Sequence, residues 1–362
     1  MSGERPHIVI IAFGAGGTAD GATRALASLG LDDDPSPRWR RFDRRLLVAW
    51  PERVDTSALD RIRALPSAPQ VLHLEGNDRL FASWPFGDSR RVEIGRGATY
   101  GAEPLVIAGP CSLETPEQLM STAEAVAAAG AKALRCGLFK PRTSPYSFGG
   151  LGDSGLPLLT QARQQTGLPV ASEVLDGAQL EVSAPHLDIV QIGSRNMHNS
   201  SLLFRAGAHP LGRPVLLKRG FGATVDELLH AAEYVLLGRL AAGHQHAGLI
   251  VCERGIRSFD RTTRFTLDVA SIAALRQRCR LPVIVDPSHA AGDRRFVLPL
   301  ARAALAAGAD GLLVEVHPEP KCAWCDGAQG LDPESFGELM DDVRALQRTG
   351  KKPPRGSSTD ER

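Results

Sequence analysis

The rhythm of apolar positions changes near residue 105 and divides the chain into two regimes. Ahead of that point the apolar runs are short and unlike one another. A β-branched run predicts a strand over 8–13, and Ala and Leu at helical spacing predict a helix over 18–29. Short strands over 38–42 and 44–50, a helix over 57–65 and a strand over 70–74 complete the order βαββαβ, a ferredoxin-like arrangement. Residues 84–94 read as a hairpin-like connector. Beyond it the pattern becomes periodic. Apolar runs over 105–108, 133–135, 169–173, 189–192, 215–218, 249–252, 283–286 and 311–315 are each followed by a helix-like segment rich in Ala and Leu. Eight such strands alternating with helices predict an α/β fold, a closed parallel (β/α)8 TIM barrel of roughly 250 residues. An open doubly wound sheet is the alternative. The expected organisation is a ferredoxin-like domain over 1–80, a barrel over 81–350 and a disordered tail over 351–362.

Composition narrows the function classes. The chain has 362 residues, 43% hydrophobic and 23% charged, enough for a large core. A formal net charge of +1 offers nucleic acid or an anionic membrane no global attraction, so anions must be met by local clusters. The apolar run at 8–13 is too short for a signal peptide, and no stretch approaches the roughly 20 apolar residues that span a bilayer. Six cysteines are too sparse for a disulfide framework, so a reducing cytoplasm is the expected setting. Gly14-Ala15-Gly16-Gly17 lacks the third glycine of a dinucleotide fingerprint and the Lys of a P-loop, and reads as a strand–helix turn. Arg38-Trp39-Arg40-Arg41 reads as a charged sheet edge before an RNA contact.

In such a barrel chemistry sits at the C-terminal ends of the strands. Polar residues fall at those positions with regularity, and they form two classes. Arg135, Lys140, Arg142, Arg195, Lys218 and Arg254 would converge on one mouth. Like charges in one cleft repel unless an anion neutralises them, and Arg suits carboxylates and phosphates. Cys111, His289, Glu315 and Asp326 fall at the ends of strands 1, 7 and 8, which are neighbours in a closed barrel. A thiolate, an imidazole and two carboxylates suit a divalent transition metal. Taken singly, Cys111 reads as a small core residue and His289 as a satisfied hydrogen-bonder.

The motifs Ile107-Ala108-Gly109-Pro110-Cys111-Ser112, Lys140-Pro141-Arg142-Thr143-Ser144-Pro145-Tyr146, Leu217-Lys218-Arg219-Gly220, Cys252-Glu253-Arg254-Gly255, Asp286-Pro287-Ser288-His289 and Glu315-Val316-His317-Pro318 resemble the type I 3-deoxy-D-arabino-heptulosonate 7-phosphate (DAHP) synthases. The likeness runs over about 82–345 and is nearest the Iβ subgroup, with a short ferredoxin-like domain before the barrel. The resemblance implies a metal-dependent condensation of phosphoenolpyruvate with erythrose 4-phosphate. It implies Cys111, His289, Glu315 and Asp326 as ligands of Mn2+, with Co2+, Fe2+ or Zn2+ able to serve. Arg135 and Lys218 would hold the phosphoenolpyruvate carboxylate, and Arg195, Arg254 and Ser194 its phosphate. Arg142, Thr143 and the adjoining Ser144 would meet the sugar phosphate, with Lys140 between the substrates. Lys140 is then a candidate general acid and Glu173 a candidate for positioning water, with His289 counted in the catalytic set. The resemblance also implies a homo-oligomer, dimer or tetramer, and Tyr or Phe as an effector on the small domain.

Departures and rivals stand beside this. Cys136 follows Arg135 where the family often has Gly, which predicts a crowded second loop. Cys322-x-x-Cys325 has no second Cys/His pair and reads as incidental loop cysteines. A condensation with a five-carbon aldose phosphate is the enzymatic rival; Pro141-Arg142 favours the four-carbon sugar, because the longer-sugar relatives usually carry Asn there. A non-catalytic effector-binding barrel is the third reading, disfavoured by the intact set of polar groups.

Overall fold

The computed structural model describes residues 7–13, 19–32, 38–65, 70–76, 78–95, 98–100 and 103–348. The Gly-rich turn at 14–17 and the tail at 351–362 lie outside the described residues. The first region contains β1 (His7–Ala12), α1 (Ala19–Ser28), β2 (Trp39–Arg41), β3 (Leu46–Ala49), α2 (Thr56–Arg63) and β4 (Gln70–Glu75). The strands form an antiparallel sheet in the order β2-β3-β1-β4, the ferredoxin-like order. Helix α2 starts where the Asp55 side chain accepts from the Ser57 N–H, a cap contributing about 1 kcal/mol.

Strand alternation sorts the side chains of this sheet to two faces. Val9, Ile11, Leu47 and Ala49 pack with Ala22, Ala25, Leu26, Leu59 and Ile62 of the two helices. Ile10, Ala12 and Leu46 point the other way and join the main core, with Ile8, Val48 and Leu72 against it. Strand β2 is the sheet edge, as its arginines predict, yet it is not bare. Phe42 stacks on Phe204 at 5.3 Å, and the Arg40 guanidinium lies 4.7 Å over the Phe42 ring.

The connector differs from expectation. Residues 84–91 form turns, in which the N–H groups of Arg90 and Arg91 bond to Asp88, so the donors of this stretch are not free for a ladder. The hairpin forms later, between β5 (Val92–Ile94) and β6 (Ala98–Tyr100). Val92 and Ile94 are buried and share a cluster with Leu105, Ile107, Ala133, Ile189, Leu216, Ile250, Ile284 and Leu313 of the barrel interior. Gly95 lies against Pro169 and Asp188, which precede barrel strands, so the hairpin stops the N-terminal end.

The barrel strands are β7 (Leu105–Gly109), β8 (Ala133–Arg135), β9 (Val170–Glu173), β10 (Ile189–Ile192), β11 (Val215–Lys218), β12 (Leu249–Glu253), β13 (Val283–Val285) and β14 (Gly311–Glu315). They run parallel in sequence order and close where β14 pairs with β7, which excludes the open sheet. Around them lie α3 (Pro116–Ala129), α4 (Leu156–Thr166), α5 (Gly177–Ser183), α6 (Ser200–Ala208), α7 (Val225–Ala241), α8 (Val269–Arg278), α9 (Pro287–Ala291), α10 (Val297–Ala306) and α11 (Pro333–Arg348). Their starts are written locally: Thr115 caps α3 with Pro116 in its first turn, and Thr224 with Glu227 forms a capping box on α7. Phe204 belongs to α6 and Tyr234 to α7, so the small sheet rests on these two helices. The connector is held there too: Phe81 N donates to Glu233 Oε1 at 2.9 Å and Trp84 Nε1 to Gln245 O at 2.9 Å. Among the described residues no helix is long and apolar enough to cross a membrane.

Candidate active site

Strands β7, β13 and β14 are neighbours, and their C-terminal ends deliver the metal-type side chains. The first ends at Gly109 (φ 149°), where a Cβ would lie 2.2 Å from the Arg135 carbonyl oxygen; only glycine lets β8 come so near. One donor atom each from Cys111, His289, Glu315 and Asp326 lies within 4.8 Å of the others. His289 is aimed by Asp286, the N-cap of α9. Its Oδ1 accepts from His289 N at 2.9 Å, and its Oδ2 lies 2.8 Å from His289 Nδ1 and also bonds Lys218 Nζ. The proton therefore belongs on Nδ1, and Nε2 faces Glu315 Oε1 at 3.3 Å.

Asp326 is the one non-glycine residue with positive φ (54°) among those described. Its loop is tied down at both ends. Glu114 accepts from Trp324 N at 2.9 Å and lies 3.3 Å from His317 Nε2. Arg264 Nη1 donates to Asp326 Oδ1 at 3.1 Å and Gln329 Oε1 at 3.0 Å, and Gln329 Nε2 donates to Glu315 Oε2 at 2.6 Å.

These residues fit a divalent cation. Glu315 Oε1 is buried and lies 3.3 Å from both His289 Nε2 and Arg135 Nη1, yet it makes no aligned hydrogen bond. Such an orphan costs roughly 1–3 kcal/mol unless something else meets it. Burial, with the nearby Cys111, pushes Glu315 up to about 7. Burial pushes His289 down to about 4, which keeps its imidazole neutral and able to ligate. Against the burial of Asp326, His289, Arg264 and Lys140 hold its carboxyl well below the usual range. The hydrogen bond with Cys325, then burial, raises the Cys111 thiol. A cation bound here would replace those protons.

Beside this set opens a cleft of about 300 Å³ lined by Lys140, Arg142, Thr143, Ser144, Glu173, Ser194, Arg195, Lys218, Arg254, His289 and Asp326. Lys140 Nζ joins the two parts, 3.0 Å from both Cys111 O and Cys111 Sγ. Burial opposes its charge, but Cys111 and Cys325 outweigh it and raise its pKa. Arg142 Nε donates to Phe148 O at 2.9 Å, and Arg195 Nη2 lies 3.5 Å from Thr143 Oγ1. The Arg254 guanidinium lies 4.0 Å over Phe265, which stacks on Phe221 at 5.0 Å. Burial pushes Arg254 down to about 10. Glu173 Oε2 accepts from Gln191 Nε2 at 3.1 Å, and a Cβ on Gly193 would sit 1.9 Å from its Oε1.

Arg135 departs from the expected mouth. It closes strand β8, as its place in the run over 133–135 predicts, but is 4% exposed and lies under the cleft beside Glu315. Its Nη2 donates to Cys111 O at 3.3 Å, while Nε and Nη1 have no hydrogen-bond partner. Lys218 is also buried, against Asp286, although it reaches the cleft. Cys136 packs into the core with Leu134 and Leu138. The incidental reading of the cysteine pair needs correction for one member. Cys322 is exposed, but Cys325 is buried with Sγ 3.1 Å from Cys111 Sγ. Sequence reasoning also missed Arg264, Gln329 and the stacked Phe221 and Phe265. The nearness of Cys325 and Gln329 to Asp326 in the chain is the signal that could have found two of them.

A sequence model of the DAHP synthetase I family matches residues 85–349. Over 255 residues the chain is 48% identical to a phospho-2-dehydro-3-deoxyheptonate aldolase of Thermotoga maritima, covering 70% of this chain and 72% of that protein. It is 33% identical over 265 residues to a 2-dehydro-3-deoxyphosphooctonate aldolase of Syntrophotalea carbinolica, covering 68% and 92%. The crystal structure of the phospho-2-dehydro-3-deoxyheptonate aldolase (DAHP synthase) of Thermotoga maritima matches with a TM-score of 0.71 and 36% identity, covering 95% of this chain and 98% of that one. Family match, barrel and small antiparallel domain agree, and the chain belongs to the DAHP synthetase I family.

Proposed function

We propose that the chain is a DAHP synthase that joins phosphoenolpyruvate to erythrose 4-phosphate and releases phosphate, the first step of the shikimate pathway. One observation carries the reading: Lys140 Nζ stands 3.0 Å from Cys111 Sγ in the wall between a four-ligand donor set and a basic cleft. Cys111, His289, Glu315 and Asp326 would hold the divalent cation, Mn2+ first among the candidates. When bound, the cation supplies Lewis acidity to the aldehyde oxygen.

The chain's own groups do the rest. The two substrates bring about five negative charges when mostly ionised. Arg135, whose Nε and Nη1 make no hydrogen bond, receives the phosphoenolpyruvate carboxylate with Lys218. Arg195, Arg254 and the Ser194 backbone receive its phosphate; Arg142, Thr143 and Ser144 receive that of the sugar. This clamping brings the terminal methylene carbon of phosphoenolpyruvate within about 3–3.5 Å of the aldehyde carbon. Lys140 Nζ gives a proton to the oxygen that becomes the new hydroxyl. Glu173 orients the water that adds at the neighbouring carbon, which bears the phosphate oxygen, and phosphate leaves by cleavage of that C–O bond. We place the protein in the cytoplasm as a homo-oligomer, with Tyr or Phe acting on the small domain; kinetics unchanged by saturating Tyr and Phe would reject the effector.

The second reading, a five-carbon acceptor, draws on the likeness to the 2-dehydro-3-deoxyphosphooctonate aldolase at 33% identity. One assay separates them. Purified chain is given Mn2+, phosphoenolpyruvate and, in turn, erythrose 4-phosphate and arabinose 5-phosphate, and released phosphate is measured. Faster release with the four-carbon sugar is expected; preference for the five-carbon sugar selects the second reading, and release with neither overturns both. A chelator, or Cys111→Ala, is expected to abolish turnover with the circular dichroism spectrum unchanged.

A further inference from the structure

We propose that the small domain carries a divalent transition-metal site of its own, built from His7, His73 and Glu75. One donor atom from each lies within 4.8 Å of the others. His7 Nδ1 is 3.1 Å from His73 Nε2. Two nitrogens bound to one cation at about 2.0–2.1 Å with tetrahedral angles stand about 3.3 Å apart, close to the observed imidazole spacing.

The sheet register produces this cluster. His7 lies opposite Glu75 and Val9 opposite His73, and residues two apart on a strand share a face. All three side chains therefore extend the row of Val9 and Ile11. Both imidazoles are half-buried and only Glu75 is exposed, so packing limits their motion. A site on two paired strands is also more rigid than one on a loop. The donor set, two imidazoles and one carboxylate, favours Zn2+, Co2+, Ni2+ or Cu2+ over Mg2+ or Ca2+, and solvent can complete the sphere. Strand β4 is the sheet edge opposite β2, and an ion here would tie it to central β1. Because the ligands come from different strands, the site exists only in the folded domain, and binding stabilises that domain.

The test uses the full chain without a histidine tag, stripped with a chelator and titrated with Zn2+ by calorimetry. Cys111→Ala removes a donor of the active-site set and is expected to leave Zn2+ binding at the small domain. Adding His7→Ala or Glu75→Gln to Cys111→Ala is expected to weaken that binding at least tenfold. Glu75 is exposed, so its variant keeps the fold, which circular dichroism checks. His7→Ala alone is expected to leave turnover at the parental level. The proposal is overturned if the Cys111→Ala chain takes up no Zn2+ at concentrations that saturate the parent. It is equally overturned if His7→Ala and Glu75→Gln do not weaken binding; the contact is then a plain imidazole hydrogen bond.

Discussion

Replacing Asp286 by Asn turns one carboxylate oxygen into an amide nitrogen at a point where His289 N, His289 Nδ1 and Lys218 Nζ all donate. However the amide rotates, its NH2 faces at least one of those donors. Two losses follow, and they can be measured apart. The Lys218 ammonium, with its side chain 5% exposed, loses its counter-charge, and breaking a buried pair this way costs about 3–5 kcal/mol of stability. The imidazole also loses the acceptor that fixes its tautomer. Removing such an outer-shell partner typically weakens metal binding 10- to 100-fold, about 1.4–2.7 kcal/mol. Urea unfolding of the stripped protein reads the first loss, and Mn2+ titration reads the second. Adding Lys218→Met removes the orphaned charge, so stability should largely return while Mn2+ binding stays weak. Parental Mn2+ affinity in Asp286→Asn would refute the orienting role. Recovery of both quantities in the double variant would show that affinity was lost through the fold alone.

Glu233 gives a pH signature at the small-domain interface. Burial pushes it up to about 7 against a hydrogen bond from Phe81 N, so the folded chain holds a proton that the unfolded chain releases near its ordinary pKa of 4.5. Its stabilising contribution is full below about pH 4.5 and fades as pH rises through 7, by up to about 3 kcal/mol. Glu233→Gln should flatten that part of the stability profile, and a slope identical to the parent between pH 5 and 8 would refute it. Gly193→Ala places a Cβ 1.9 Å from Glu173 Oε1, the free end of a side chain, so the fold should persist while kcat falls roughly 100-fold. Unchanged kcat would remove Glu173 from the mechanism. Gln329→Leu breaks the link from Glu315 to Arg264 and should weaken Mn2+ binding about tenfold by titration.

The barrel was legible because buried parallel strands are apolar on both faces and stand out as short continuous runs, from 105–108 to 311–315. The hairpin was misplaced because strands of three residues, Val92–Ile94 and Ala98–Tyr100, leave no period to read, and the burial of Val92 and Ile94 depends on the barrel above them. At the site, the polar residues that end strands were readable from position alone. Arg135 was expected at the mouth, and its strand-end position does not reveal that Glu315 waits beside it below the cleft. Cys325 was missed for a related reason. Spacing suggests Cys322 as its companion, whereas the fold presents Cys111, 214 residues away. Arg264 carries no motif; its meaning arises only where loops from different strands touch.

Both faces of the small sheet are covered, one by its own helices and the other by the outer wall of the barrel. Swinging the sheet open like a door would strip water-shunning side chains such as Ile10 and Leu46 of their neighbours all at once. Sliding along α6 and α7 would not, because Phe42 can shift over Phe204 and Tyr234 without leaving oily surroundings. Shear of these packed layers therefore exposes less apolar surface than a hinge would.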